Sequence, residues 1–80
     1  MIHELKTLPE YWDAVNSGAK PFEVRTNDRD FKVGDILHLY RSVDADFYGA
    51  EFMELAVTYV LSGGKFGIEP GYVVMGLGEV

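Results

Sequence analysis

Only one stretch of this chain repeats its apolar residues at helical spacing. Leu8, Tyr11, Trp12 and Val15 fall at i, i+3, i+4 and i+7, a single stripe able to cover one face of a short helix. The flanks agree. Thr7 is placed to cap, Pro9 suits a first turn, and Glu10 follows Thr7 by three residues, as in a capping box. Gly18 stands where a helix end calls for a left-handed residue. The spacing predicts one helix over residues 8–17, packed by its Trp12 face.

The rest of the chain alternates with a period of two, which is the period of a strand. Segments 2–5, 22–26, 36–41, 51–61 and 71–77 read as strands, separated by polar or glycine-rich turns. In the first, Ile2 and Glu4 oppose His3 and Leu5. In the second, Phe22, Val24 and Thr26 share one face, read as the core face, and Glu23 and Arg25 share the other. In the fourth, Met53, Leu55, Val57 and Tyr59 line up. Ser42 to Asp46 reads as an acidic loop, and Tyr48-Gly49-Ala50 as a turn. The last strand is apolar on both faces, with Tyr72 and Val74 opposite Val73, Met75 and Leu77, so both sides call for cover. The helix or a second subunit, giving a homodimer, would supply it. The expected class is α+β, mainly β: a small β-barrel with one N-terminal helix packed on it. With 80 residues, the chain is read as one domain, 1–80.

Chemistry is narrowed by what the chain contains. No cysteine is present, which removes disulfides and thiolate catalysis. His3 and His38 lack the neighbours of a zinc site, and no cofactor is expected. No apolar run approaches the roughly 20 residues of a membrane helix, and the first residues do not read as a signal peptide, so the expected compartment is the cytoplasm. Gly63-Gly64-Lys65-Phe66-Gly67 has the wrong spacing for a phosphate loop and reads as a hairpin loop.

The formal net charge of −6 argues against a general polyanion binder. The charge is uneven, however. Residues 20–32 carry Lys20, Arg25, Arg29 and Lys32 against Glu23, Asp28 and Asp30, a net of +1, while the remainder carries −7. Within that segment Glu23 and Arg25 lie about 7 Å apart on one strand face. Lys20 stands at the mouth of the same strand. Two readings stay open: an exposed ion pair of small worth, or a polar group of residues in a cleft between helix and barrel. His3, which precedes the helix that frames Lys20, is a further candidate for lining such a cleft.

At these residues the chain resembles a known family. Gly18-x-Lys20-x-x-Glu23-x-Arg25 matches the G-x-K-x-x-E-x-R signature of ASCH domains, members of the PUA-like superfamily. The resemblance is closer still to a small bacterial and phage branch of unknown function. It extends through His3-Glu4-Leu5-Lys6, Asn27-Asp28-Arg29-Asp30-Phe31, Val33-Gly34-Asp35 and Val57-Thr58-Tyr59-Val60. What it implies is a PUA-like pseudo-barrel closed at one end by a helix. ASCH domains are predicted RNA-binding modules, so Lys20, Glu23 and Arg25 would line the cleft. Asn27, Asp28, Arg29 and His3 would complete the ligand-binding set.

Some ASCH-fold proteins are instead amidohydrolases of acetylated cytidine, using a lysine, a threonine and a glutamate. Lys20 falls at the lysine position, but Glu23 stands where the threonine nucleophile belongs. If the chain is an enzyme, Lys20 and Glu23 are the catalytic candidates, with Glu23 as general base for water.

Three functional readings follow. The leading one is a module for short single-stranded RNA or a nucleotide, since the acidic remainder would repel long RNA. Tyr11, Tyr48 or Phe22 would supply a stacking ring, although Phe22 also suits the core. The second is hydrolysis of an acetylated nucleoside. The third is a protein-interaction module acting through the last strand.

Overall fold

The computed structural model describes residues 1–42 and 51–80. The strands are β1 (Ile2–Thr7), β2 (Phe22–Thr26), β3 (Ile36–Arg41), β4 (Phe52–Ser62) and β5 (Tyr72–Gly78), and the helix is α1 (Pro9–Asn16). One sheet runs in the order β1-β3-β4-β5-β2. β1 and β3 are parallel, with Leu5 opposite Leu39, and every other pair is antiparallel. The sheet curls into a half-barrel, mainly β, carrying one short helix. The acidic segment 43–46 and the turn at Tyr48-Gly49-Ala50, with Tyr48 as a stacking candidate, lie outside the described residues.

The core forms where the inward faces meet. Leu37, Leu39, Val57, Val73 and Met75 lose essentially all contact with solvent, and Leu5, Trp12, Val15 and Phe31 close around them. α1 contributes Trp12 and Val15. The Trp12 indole N–H donates to the Leu39 carbonyl at 2.7 Å, so a buried polar atom is satisfied and the helix is fixed against β3. Gly18 ends the helix with φ +86°, and its amide reaches the Val15 carbonyl at 3.1 Å, as anticipated. The segment Gly63–Gly67 does lie in the β4–β5 hairpin connection, which includes a bridge between Lys65 and Ile68.

Four expectations change. Thr7 does not cap: β1 runs through Thr7, which is buried, and Leu8 takes the cap position without a side-chain hydrogen bond. Leu8 and Tyr11, half of the predicted stripe, remain about half exposed. The helix is only eight residues long, and Trp12 and Val15 alone face the core.

The third change concerns β4, where Tyr59 turns out to solvent at 64% exposure. A bulge between Val57 and Tyr59 shifts the register, and Val60 packs inward in its place. The fourth concerns β2, whose two faces are exchanged. Glu23 is buried, while Phe22 and Val24 are exposed. Glu23 pairs with the fully buried Met75, and the parity of the strand then carries Phe22 outward.

β5 is interior, hydrogen-bonded to β4 on one side and β2 on the other. It has no free edge with which to extend a partner's sheet. The sheet's edges are β1 and β2, and side chains span the gap between them. Arg25 donates to Thr7 Oγ1 at 3.0 Å, and Arg29 donates to the Glu4 carbonyl at 2.8 Å.

Candidate functional site

The gap between β1 and β2 opens into a cleft of about 360 Å³, floored by the two strands and walled by the start of α1. Lys6, Thr7 and Leu8 line one side and Glu23, Val24 and Arg25 the other, with Tyr11 and Lys20 at the helix. The volume lies in the range of small-ligand pockets.

Glu23 organises this cleft. Its side chain is 3% exposed, and each carboxylate oxygen holds one cation. Lys20 Nζ donates to Oε1 at 2.9 Å, and Arg25 Nε donates to Oε2 at 2.8 Å. Lys20 Nζ also donates to the Phe22 carbonyl at 3.0 Å and lies 5.7 Å from the centre of the Tyr11 ring. Arg25 Nη2 donates to the Thr7 hydroxyl. A carboxylate is tolerated at the floor of the strand because two charge-assisted hydrogen bonds replace its water.

The arrangement leaves unused capacity. Among the described residues, Lys20 has acceptors for two of its three N–H bonds and Arg25 for two of its five. The Thr7 hydroxyl accepts from Arg25 and keeps its own proton to donate. Three cations, Lys6, Lys20 and Arg25, face one carboxylate in the lining, so the cleft is cationic on a chain of net charge −6.

The other candidate residues lie elsewhere. His3 is buried, with Nε2 donating to Asp35 Oδ2 at 2.8 Å and its ring edge-on to Phe31. The Lys32 amide and the N-terminal amine also reach Asp35. These contacts, the His3 hydrogen bond first, hold the Asp35 carboxyl below its ordinary range. Asn27 Oδ1 accepts the Phe31 amide in the turn after β2. Arg29 is held at the Glu4 carbonyl, and Asp28 is exposed. None of these four lines the cleft. The turn leaves the far end of β2, where Asn27 shapes the turn and Arg29 bridges to β1.

Lys6 and Thr7 line the cleft although their residue types do not announce it. The signal for Thr7 was the inward parity of His3 and Leu5, which Thr7 continues. Its reading as a helix cap obscured that.

A family model described as a domain of unknown function, DUF3850, matches residues 2–77. An uncharacterized 12.9 kDa protein in the GpA 3' region of Escherichia phage P2 is 39% identical over 59 residues. Those residues make up 74% of this chain and 53% of the phage protein, so the chain spans about half the length of that relative. Matched from its second residue almost to its end, the chain belongs to the DUF3850 family.

Proposed function

We propose that the cleft binds a nucleotide or a short segment of single-stranded RNA, in the manner implied by the ASCH and PUA-like resemblance. The observation that carries this reading is the convergence of Lys20 and Arg25 on one cleft, each oriented by Glu23 and each with N–H bonds to spare. A phosphate oxygen suits those donors. Tyr11, 47% exposed beside Lys20, offers a ring face to a base. The acidic body limits the ligand to a short one.

The test is titration with AMP and with short RNA oligonucleotides at fixed salt. Lys20→Ala and Arg25→Ala each weaken binding at least tenfold on this reading. Unchanged affinity in both variants removes the cleft as the site.

One observation favours a second reading, hydrolysis of an acetylated nucleoside. Thr7 places a hydroxyl in the same cleft as Lys20, although the position in the signature that would carry a threonine is Glu23. Water would cleave the acetyl–nitrogen bond of N4-acetylcytidine, giving acetate and cytidine. Incubation with that nucleoside and related amides decides it, and no turnover across the panel rejects it.

A further inference from the structure

The exchange of faces in β2 and the bulge in β4 bring to the outer face two aromatic rings, Phe22 and Tyr59, that were expected in the core. Phe22 on β2 is registered against Gly76 on β5, and Gly76 against Tyr59 on β4. The three residues form one row across the outer face of the sheet. Phe22 is 40% and Tyr59 64% exposed, a large apolar area to leave in water. Adjacent strands are about 4.8 Å apart, so the two aromatic residues stand about 10 Å apart at the backbone, with a residue lacking a side chain between them. A flat ring stacked on both sides needs about 7 Å between its neighbours. Gly76 puts no side chain between the two rings, and the Thr58 hydroxyl borders the place on one side. A Cβ there would enter it and would also lie 2.8 Å from Thr58 Oγ1. The neighbouring row, Val24, Val74 and Leu61, extends the surface with apolar, uncharged side chains.

We infer that the row Phe22–Gly76–Tyr59 is a stacking slot for a second, unpaired base of the same strand whose phosphate sits in the cleft. The inference rests on the reading of the cleft given above and deepens it, from a lone nucleotide to an oligonucleotide of two or more. Lys20 connects the two places. Its ammonium lines the cleft and lies 4.9 Å from the centre of the Phe22 ring. A polyanion leaving the cleft past Lys20 therefore meets Phe22 next. Charge favours nucleic acid as the occupant, because the slot is uncharged and its adjoining rim is cationic, on a body otherwise acidic.

The experiment uses the full chain and two probes: AMP, and a 5'-phosphorylated trinucleotide RNA carrying 2-aminopurine, whose fluorescence is quenched by stacking. Wild type is expected to bind the trinucleotide at least fivefold more tightly than AMP, with quenching. Tyr59→Ala removes that advantage and the quenching while leaving AMP affinity within twofold, and Tyr59→Phe retains both. Tyr59 is exposed, so its truncation leaves the fold intact.

Trinucleotide binding unchanged in Tyr59→Ala overturns the slot. AMP binding by wild type with no trinucleotide advantage also overturns the slot, and leaves the cleft standing. Binding of neither probe overturns both. Sedimentation of wild type as a dimer and of Tyr59→Ala as a monomer would assign this face to a second copy of the chain, and so overturn the slot as well.

Discussion

Two buried carboxylates, Glu23 and Asp35, are each surrounded by positive or proton-donating groups, yet their settings differ. Asp35 is closed in. Its oxygens take the His3 ring N–H, the Lys32 amide and the N-terminal amine, and His3 is sealed by Phe31. Its partners are a buried ring, a backbone group and the chain's own terminus, and together they tie the start of β1 to the start of β3. Glu23 is the more deeply buried, but its two partners are long cationic side chains, 20% and 24% exposed, that line an open cleft with N–H bonds to spare. The first cluster lines no part of that cleft. The second presents two oriented cations. Burial of a carboxylate therefore marks a candidate site only where its partners line a cleft with donors to spare.

The largest expected effect follows from removing the carboxylate of the open cluster. Glu23→Ala leaves Lys20 and Arg25 facing each other without a counterion, and should cost about 3 kcal/mol, the lower end for a broken buried pair because both cations keep some solvent. Glu23→Gln keeps the shape and should cost less. Urea denaturation measures both. A loss below about 1 kcal/mol for Glu23→Ala would mean that the cluster behaves as an exposed ion pair, and the contrast with Asp35 would fail.

Asp35→Asn comes next, at about 2 kcal/mol near neutral pH, the scale of hydrogen bonds to a charged group. Its signature is in the pH dependence. The Asp35 carboxyl is depressed below its ordinary value of 3.8 when folded, chiefly by the His3 hydrogen bond. Its contribution is therefore fully present above that value and is lost as pH falls through the lower folded value. The stability difference between wild type and Asp35→Asn should shrink on acidification below about pH 4. Asp13, which its hydrogen bond to Arg41 also holds low, titrates in both proteins and drops out of the difference. A constant difference down to pH 2 would show that Asp35 contributes by shape rather than charge.

Much of the frame around these clusters was legible from residue order. Period and punctuation located the helix and all five strands within a few residues, and Gly18 marked the turn that delivers Lys20 to the cleft. Strand parity grouped Glu23 with Arg25. It could not say which group faces inward, because parity is silent on that point and the apolar pair Phe22 and Val24 was the natural choice for the core. The deciding facts are long-range: registration of Glu23 on Met75, and the reach of Lys20 and Arg25 to its carboxylate. Thr7 was hidden for a similar reason. A threonine before Pro9 reads as a cap, and only the pairing of β1 with β3 through Thr7 and Arg41 keeps it in the strand and turns its hydroxyl to Arg25. The bulge that sends Tyr59 outward left no local signal, since Thr58 breaks no strand pattern.

The smallest expected effect is the sharpest test of that inversion, on which the contrast between the two carboxylates depends. If Phe22 were a core residue, truncating it would cost about 3–5 kcal/mol, the usual range for a buried phenylalanine. On the outer face of an edge strand, at 40% exposure, it should cost far less. Phe22→Thr retains strand preference, so the measured change reports burial and the contact with Lys20 rather than backbone propensity. About 1 kcal/mol or less is expected from urea denaturation. A loss of 3 kcal/mol or more would place Phe22 inside. By the two-residue period of the strand it would then turn Glu23 out to solvent, and Glu23 would no longer be the buried counterpart of Asp35.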